Sequence, residues 1–556
     1  MITVATAGKN GAETVLQKRA RDLDALGKNR WDILVVGGGI TGCGILLDAA
    51  SRGLQVALIE CDDFAVGTSS RSSRLIHGGL RYLEQFQIGL VREALRERSL
   101  LLKLAPHLVR LEAFLFPVYG GPWARPFFGA GLTMYDLLGA SADGGFHRHL
   151  SVDESLTAVP ALHRKGLRGA FLYHDGQEDD ARYAVSVVRT ALTRGALALT
   201  RVRALRGIEE AGRLTGCIVR EELTGSQFEV RAATVIDATG VWTGRADGPF
   251  PAKEKRLTRP SRGVHLVVAR DRIPSRYGLT LRIPHRVCFL VPGSDNWVIG
   301  TTDHESDTPP DRPAPTLAEV DEILDNVNGT LDVGLRRNDV LGAFAGLRPL
   351  ATDPGGTPGS TVKASREHRI RTEPNGLVRI SGGKYTTYRL MALQTVDAAL
   401  GPAAARARPS ITAEVPIIGA AATASLDALA ARLAAETPLD RGIADRLVAR
   451  HGIEASDLIG LGRELGLLRP IGPDSSVLEV EIVWSVRRES ALSVDDFLAR
   501  RTRLAQERLD RGSAVAGRVA ELMGSELGWS SADKEASVQA FLAGAHREYD
   551  VPQEAP

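Results

Sequence analysis

The stretch Asp32-Ile-Leu-Val-Val-Gly-Gly-Gly-Ile-Thr-Gly-Cys-Gly44 decides the fold of this chain. Four β-prone apolar residues lead into Gly37-x-Gly39-x-x-Gly42, and a helix-like run and a second apolar segment, Gln55-Val-Ala-Leu-Ile-Glu60, follow. In that order the first glycine permits a tight turn, the second lets a pyrophosphate approach the backbone, and the third lets the helix pack on the strand. The pattern therefore predicts a βαβ unit that binds a dinucleotide.

Glu60 narrows the class of dinucleotide. It ends the second apolar segment, where an acid accepts hydrogen bonds from the ribose hydroxyls and disfavours a 2′-phosphate. The N-terminus of the intervening helix supplies N–H groups and a positive dipole end for the phosphates. We therefore expect FAD or NAD rather than NADP.

The composition excludes several classes of protein. The 556 residues are 44% hydrophobic and 24% charged with a net charge of +2, which is typical of a soluble globular protein of two or three domains. Nucleic-acid binding is not expected, because it requires a basic surplus. Cys43, Cys61, Cys217 and Cys288 form no Cys-x-x-Cys pair, so we expect no metal site or disulfide framework and favour a reducing cytosolic compartment.

Hydrophobic periodicity predicts an α/β fold with a Rossmann-type domain, an inserted antiparallel β substrate domain and a C-terminal all-α domain. β-like runs at 264–268, 287–291 and 297–302 indicate the antiparallel sheet, and a buried strand at 233–240 is expected to return beside the first strand. The predicted domains are a flexible or helical extension at 1–29, a dinucleotide-binding domain at 30–110, 175–245 and 345–400, a substrate domain at 111–174 and 246–344, a linker at 401–416 and a helical domain at 417–549.

No segment contains the roughly 20 apolar residues that a transmembrane helix requires. The longest apolar candidate, 113–135, is interrupted repeatedly by proline and glycine. We expect this segment to lie on a bilayer surface or to line a hydrophobic channel. The N-terminus has no apolar core typical of a secretory signal.

Five stretches in a fixed order resemble a known family. They are Val36-Gly-Gly-Gly-Ile-Thr-Gly-Cys-Gly-Ile-Leu-Leu-Asp-Ala-Ala-Ser-Arg-Gly53, Ser72-Ser-Arg-Leu-Ile-His-Gly-Gly-Leu-Arg-Tyr-Leu-Glu84, Ile299-Gly-Thr-Thr-Asp303, Ala345-Gly-Leu-Arg-Pro-Leu350 and Gly382-Gly-Lys-Tyr-Thr-Thr-Tyr-Arg389. On these the chain resembles the FAD-dependent sn-glycerol-3-phosphate dehydrogenases, which are membrane-associated respiratory enzymes. The resemblance continues more weakly into 484–488 and 500–503. Leu46 departs from it, since the family usually has a small alanine there.

The resemblance implies non-covalent FAD, so His77 is interpreted as a loop residue beside the cofactor rather than a covalent attachment point. Hydroxyls and N–H groups of 68–73 are expected at the pyrophosphate or the isoalloxazine edge, and Thr386 and Thr387 are expected to cap the last helix and touch the ribityl chain or a flavin carbonyl. The predicted cofactor-binding residues are Gly37, Gly39, Gly42, Glu60, Thr68, Ser69, Ser70, Ser73, His77, Gly240, Gly383, Thr386 and Thr387.

The substrate site is predicted from fixed cations. A phosphate dianion favours arginine, whose planar fork makes two parallel hydrogen bonds. Arg81, Arg348 and Lys384 each lie in a predicted glycine-containing turn next to a strand end. The resemblance implies that they bind the glycerol phosphate near the flavin, with Tyr82 as a hydrogen-bonding neighbour.

His265 lies inside an apolar run, where a histidine is normally a core residue. The resemblance instead places it at the carbon that is oxidised. An imidazole accepts a proton at neutral pH, so our hypothesis is that His265 takes the C2 hydroxyl proton while Arg348 stabilises the developing alkoxide. An exchange of these two roles between His265 and Arg348, or a sharing of them, stays open.

The expected function is oxidation of sn-glycerol 3-phosphate to dihydroxyacetone phosphate, with hydride transfer to FAD and electron transfer to a membrane quinone. The enzyme is expected on the cytoplasmic membrane surface, peripherally attached, as a possible homodimer. Three alternatives stay open: an oxidase that uses O2, an FAD amine or amino-acid oxidase, and a non-catalytic FAD-bearing scaffold. The Gly-Gly-Lys and Gly-Leu-Arg-Pro pair argues against the second of these.

Overall fold

The computed structural model describes residues 13–79, 87–139, 145–252, 257–283, 286–306, 312–351 and 367–553. The strands, numbered in chain order, are β1 (Arg30–Val36), β2 (Val56–Ile59), β3 (Leu75–Ile76), β4 (Val109–Tyr119), β5 (Arg148–Leu150), β6 (Leu167–Glu178), β7 (Leu197–Leu199), β8 (Val202–Glu210), β9 (Arg213–Glu221), β10 (Gln227–Asp237), β11 (Thr258–Ala269), β12 (Gly278–Ile283), β13 (Arg286–Pro292), β14 (Asn296–Gly300), β15 (His304–Glu305), β16 (Val340–Ala351), β17 (His368–Thr372) and β18 (Val378–Gly382).

The helices surround two sheets that these strands form. They are α1 (Val15–Lys28), α2 (Ile40–Ser51), α3 (Ile88–Leu104), α4 (Ala124–Gly139), α5 (Val152–Ala158), α6 (Asp180–Leu192), α7 (Leu317–Asn328), α8 (Tyr388–Leu400), α9 (Pro402–Ala407), α10 (Thr423–Glu436), α11 (Arg441–His451), α12 (Ala455–Leu465), α13 (Glu479–Glu489), α14 (Leu504–Glu507), α15 (Ser513–Leu527) and α16 (Ser531–Tyr549). A π-helical turn, Asp496–Arg501, precedes α14.

Strand β1 lies at the centre of the first sheet. It pairs in parallel with β2 on one side and with β10 on the other. The chain therefore leaves β1 in one direction and later returns on the opposite side, as predicted for the 233–240 strand. The carboxyl ends of β1 and β10 lie side by side, with Val36 opposite Asp237, and open α/β sheets bind their ligands just outside the carboxyl ends of such strands.

Helix α2 packs unusually close to the turn after β1. A Cβ at Gly42 would lie 1.9 Å from the carbonyl oxygen of Gly37, and Gly37 itself has φ +114°. Only glycine fits either position, because the first has no room for a side chain and the second has a backbone conformation that other residues rarely adopt. This confirms the predicted βαβ unit, in which Leu46 is fully buried in the core shared by α2, α6 and α8.

The second sheet is largely antiparallel and is built around β11. This strand pairs along its length with β16 on one side and with β14 on the other. Val264, Leu266 and Val268 point towards the core shared with α7, so the alternate residues of β11 face the opposite side. The antiparallel sheet is thus confirmed, and β4 and β6 extend it.

Some residues belong to a different sheet from the one that the predicted domain boundaries imply. Strand β16 keeps residues 345–351 in the second sheet through its pairing with β11, whereas the prediction assigned them to the dinucleotide-binding domain. Strands β3 and β6 likewise carry residues 75–76 and 175–178 into the second sheet. The reason is that the sheet to which a strand belongs depends on its hydrogen-bonding partner, which local periodicity does not reveal.

The helices at the two ends of the chain are packed against the sheets. Thr14 and Gln17 form a capping box that begins α1, and Arg19 pairs with Glu221 at 2.6 Å while Leu26 is fully buried. The described part of the N-terminal extension is therefore an ordered helix rather than a flexible segment. At the other end, the predicted linker contains α9, and α10–α16 make up the predicted helical domain.

Buried histidines lie where the C-terminal helices meet the rest of the chain. A Cβ at Gly419 would lie 3.0 Å from His107 Nε2 and 2.4 Å from the carbonyl oxygen of His451. Burial, followed by the nearby His451, lowers the pKa of His107 to about 4. An unfolded histidine binds a proton below about pH 6.5 and this folded one does not, so this residue's contribution to stability is lost as the pH falls from about 6.5 towards 4.

We expect the free energy of unfolding to fall with decreasing pH between about 6.5 and 5, and His107→Gln to reduce this dependence by up to about 1.4 kcal/mol per pH unit. Urea unfolding at several pH values in that window measures it. His546→Gln, at an exposed histidine, is the matched control. An unchanged pH dependence in His107→Gln would contradict the assignment.

Candidate active site

A cavity of about 690 Å³ lies between the two sheets, at the carboxyl ends of β1 and β10. Its walls are the turn after β1, the loop after β2, the turn after β10, strands β11 and β16, and the turn after β18. Most residues predicted for the site line it: Gly37, Gly39, Glu60, Thr68, Ser69, Ser73, His77, Gly240, His265, Arg348, Gly383, Lys384 and Thr386.

Of the predicted site residues that the structure describes, three do not line the cavity. Gly42 and Ser70 lie behind its wall, and Thr387 follows that wall along the chain. Arg81 and Tyr82 lie outside the described residues, so their predicted roles stay predictions. Gly42 acts through the close packing of α2 rather than by facing the cavity.

Polar side chains hold the glycine turn by hydrogen bonds, and no side chain covers the turn where it faces the cavity. The Glu60 carboxylate accepts hydrogen bonds from Gly38 N at 2.7 Å and Asp62 N at 2.9 Å, and burial raises the pKa of this carboxyl. Ser69 Oγ accepts a hydrogen bond from Ile40 N, at the start of α2, at 2.9 Å. A Cβ at Gly39 would approach Ser69 Oγ within 3.3 Å, so the absent side chain leaves room for a pyrophosphate at the helix N-terminus. The residues present fit a dinucleotide.

One face of β11 and β16 forms the opposite wall. Across the pair, His265 lies opposite Phe344, Gly263 opposite Gly346, and Ser261 opposite Arg348. Residues two apart along a strand share a face, so His265 and Arg348 flank a pair of glycines. A Cβ at Gly263 would lie 2.4 Å from Arg348 Nη2, which shows that the guanidinium crosses this bare position.

His265 is a buried, neutral imidazole. Its Nε2 is 2.8 Å from Ser73 Oγ, and its ring stacks on Phe344 with centroids 5.0 Å apart. Burial, followed by the positive charges of Arg348 and Arg74, lowers the pKa of His265 to about 3. The ring is thus available as a proton acceptor, and Ser73, predicted at the cofactor, contacts this histidine.

Arg348 lies within strand β16 and not in the glycine-containing turn predicted for it. Its Nη2 donates to Thr301 Oγ1 at 2.9 Å and to the Thr302 carbonyl at 3.1 Å. Asp303 lies 3.4 Å from Nη1. These partners hold the guanidinium in one orientation at the cavity wall. The prediction of a turn was wrong because Pro349 and Gly346 suggest a break, whereas Pro349 pairs with Pro260 inside the sheet.

The turn after β18 brings Lys384 to the cavity, followed by the 3₁₀ turn Tyr385–Thr387. His77 N donates to Thr386 Oγ1 at 3.3 Å, which joins this turn to the His77 loop. Thr387 Oγ1 donates to the Lys384 carbonyl at 3.4 Å and makes no side-chain cap for α8. The predicted threonine cap was wrong, because the 3₁₀ turn already occupies the start of that helix.

Sequence reasoning missed one part of the cavity wall. It is formed by residues 202–205, together with Trp242 and Arg245. The Trp242 ring packs over Gly67, whose Cβ would lie 3.1 Å from it. The signal available was the tryptophan two residues after Ala-Thr-Gly240. No sequence motif around Arg203 predicts that it lines the cavity.

Comparisons with known proteins agree with this architecture. Residues 32–383 match the family described as FAD dependent oxidoreductase, and residues 410–534 match the C-terminal domain of alpha-glycerophosphate oxidase. A glycerol-3-phosphate dehydrogenase of Mycobacterium leprae (strain TN) is 41% identical over 534 residues, covering 96% of this chain and 91% of the relative. The mitochondrial glycerol-3-phosphate dehydrogenase of Homo sapiens is 35% identical over 544 residues, covering 94% and 74%.

Among solved structures, the glycerol-3-phosphate dehydrogenase from Bacillus halodurans complexed with FAD superposes with a TM-score of 0.79 at 26% identity, covering 98% of this chain and all of that one. Its cofactor agrees with the glycine turn, the acid at the end of β2 and the long cavity between the sheets. On these matches the chain belongs to the family of FAD-dependent glycerol-3-phosphate dehydrogenases, and FAD is its cofactor.

Proposed function

We propose that the chain oxidises sn-glycerol 3-phosphate to dihydroxyacetone phosphate between His265 and Arg348, and that its electrons pass to a membrane quinone. The observation that carries the proposal is the pairing of a neutral buried imidazole with an anchored guanidinium across two facing glycines. The names of the near-full-length relatives support the substrate.

His265 is proposed to remove the proton of the substrate C2 hydroxyl. A bound phosphate dianion would offset the positive charges of Arg348 and Arg74, and so raise the pKa of His265 towards the working pH. Arg348, held by Thr301 and Thr302, stabilises the developing alkoxide without having to reorient. FAD, when bound, supplies the hydride acceptor.

The phosphate is proposed to bind Lys384, with Arg81 and Tyr82 as the further ligands. Lys384 lies on the cavity wall directly after the Gly382-Gly383 pair, which has φ +77° and +90°. That conformation turns the chain so that the residue after the strand reaches the cavity. The FAD is proposed to be held without a covalent bond.

Anaerobic mixing of the purified protein with sn-glycerol 3-phosphate tests the proposal. We expect the visible flavin absorbance to bleach, and a soluble quinone analogue to restore it faster than O2 does. Faster recovery with O2 would favour the oxidase alternative. Bleaching by an amine or amino acid instead would favour the second alternative, and no bleaching by any of these compounds would favour the scaffold.

His265→Gln is expected to slow flavin reduction by about 10²–10⁴-fold, because a general base contributes roughly that factor. FAD binding should persist, since the variant keeps a polar side chain beside Ser73. Stopped-flow absorbance across a pH series is the measurement, and His304→Gln, an exposed histidine on the same sheet, is the control. An unchanged rate and pH profile would show that another group is the base.

Helix α4 supports a peripheral membrane attachment. Within the described residues, no helix is long and apolar enough to cross a bilayer. Helix α4 and the residue before it instead expose an apolar stripe at helical spacing: Trp123 is 82% exposed, Phe127 60% and Leu137 62%. An amphipathic surface of this kind inserts its apolar side chains at the headgroup boundary.

Basic side chains surround this stripe. Arg282 lies over the ring of Phe128 at 4.9 Å, and Arg168 donates to the Gly120 carbonyl just before α4. Arg125 and Arg148 are exposed, and Arg125 Nη2 lies 3.0 Å from Nδ1 of His149, the residue after Arg148. Each basic group near an anionic leaflet contributes about 1 kcal/mol of attraction. This arrangement supports docking on an anionic membrane surface, from which a quinone would be reached. The cytoplasmic location and a homodimer stay predictions.

The triple variant Trp123→Ser, Phe127→Ser, Leu137→Ser is expected to bind anionic vesicles at least about tenfold more weakly, because three exposed apolar side chains no longer insert. Vesicle sedimentation measures binding, and reduction of a soluble acceptor should stay unchanged. Leu509→Ser, at a leucine that is 70% exposed on another surface, is the control. Equal vesicle binding by the triple variant and the wild type would exclude this helix.

A further inference from the structure

The loop that follows β2, residues 60–73, is here termed the cofactor loop. Its residues 60–62, 66–69 and 71–73 line the FAD cavity. Residues 63–65 and 70 interrupt this series, and among them Asp63 and Ser70 have polar contacts away from the cavity. Both are buried, Asp63 completely. Contacts made to Asp63 and Ser70 therefore affect the position of the neighbouring loop residues that face the cofactor.

Arginines of the C-terminal domain contact the back of this loop. Arg501 makes two parallel hydrogen bonds to the Asp63 carboxylate, each 2.8 Å long, and Arg500 Nε bonds the same carboxylate. Both arginines come from the π-helical turn before α14 and are at most 2% exposed. A buried, bidentate arginine–carboxylate pair is directional, so it defines the position of Asp63.

A second contact is made at Ser70. Arg503 Nη1 donates to the Ser70 carbonyl at 3.1 Å, while its other nitrogens bond Asp179 and Asp180. Asp180 in turn accepts a hydrogen bond from Ser72 N at 2.9 Å. The loop backbone is thereby held at the Ser70 carbonyl and at the Ser72 amide. Neighbouring Ser69 and Ser73 carry the hydroxyls that contact Ile40 N and His265.

Helix α16 adds a third contact. Its Glu548 pairs with Arg71 of the cofactor loop and with Arg312, and Arg312 also bonds Asp62 at 2.9 Å. The ring of Tyr549 lies under the Arg71 guanidinium at 5.8 Å. The π-helical turn, Arg503 and helix α16 of the C-terminal domain thus all contact the cofactor loop or its ion-pair partner Arg312.

We propose that the C-terminal helical domain sets the affinity for FAD by holding the cofactor loop in its binding conformation, with Arg501 and Arg503 as positioning residues. Neither side chain lines the cavity, so each acts through Asp63 and Ser70. Without these arginines the buried Asp63 carboxylate loses its bidentate partner, and the loop is free to take other conformations. FAD binding would then have to order the loop, which lowers affinity by the fraction of molecules in the competent state.

Arg501→Lys and Arg503→Lys keep the positive charge and remove the fork. We expect each to raise the Kd for FAD about tenfold or more, measured by flavin fluorescence quenching on titration of the deflavinated full chain. Arg189→Lys is the matched control, because Arg189 makes a bidentate pair with Glu454 across the same domain interface but away from the loop. It should lower the melting temperature of the deflavinated protein to a similar extent and leave the Kd within about twofold.

An effect on melting temperature alone, or an equal rise in Kd for Arg189→Lys, would overturn the proposal. If the variants do not fold, hydrogen exchange on the wild type decides. Coupling is reciprocal, so FAD must protect the amides of 496–507 as well as those of 60–73, and leave α10 unaffected. Protection confined to the cofactor loop and the glycine turn would contradict a role for the C-terminal domain.

Discussion

The close approach of helix α2 to the turn after β1 is the constraint on which the rest of the site depends. With Gly42 packed against the Gly37 carbonyl, the first turn of α2 sits directly over the end of the central strand. That places the free N–H groups of the helix at the crevice between β1 and β10. The turns after β1 and β10 and the first residues of α2 all line the cavity there.

Buried charge is the second organising feature. Arginine greatly outnumbers lysine in this chain, and composition alone suggests only a genomic bias. In the fold, many of these arginines lie between elements as partners of buried carboxylates, including Arg182 with Glu489, Arg389 with Glu97 and Arg379 with Asp237. The planar guanidinium suits such places because several of its donors bond in fixed directions. Breaking one pair leaves a charge without its partner, which costs several kcal/mol, so these contacts specify how the parts fit.

Arginine charge also shapes the cavity wall formed by β11 and β16. The pKa of His265, inside an apolar strand, is lowered by burial and by two guanidinium groups, and one of these, from Arg348, crosses the bare position at Gly263. Each of these guanidinium groups also has a carboxylate partner, Asp303 for Arg348 and Glu507 for Arg74, so ion pairs connect this wall to helix α14.

The sequence by itself determined the βαβ unit, the acid at the end of β2, the antiparallel sheet and the helical C-terminal third. These follow from local periodicity and from backbone positions where only glycine fits, so a single chain segment contains the information. The motif residues His265, Arg348 and Lys384 were also found from sequence, because each lies in a short pattern that resembles a family.

Only the tertiary structure decided which sheet residues 345–351 join, that Arg348 lies within a strand, and that Ser73 contacts His265. The same holds for the contacts of Arg501 with Asp63 and Arg503 with Ser70, whose partners are more than 400 residues apart. Strand pairing and buried ion pairs depend on partners distant in sequence, and no local pattern records which carboxylate an arginine will meet. The glycine turn could be predicted from one segment; the support behind the cofactor loop could not.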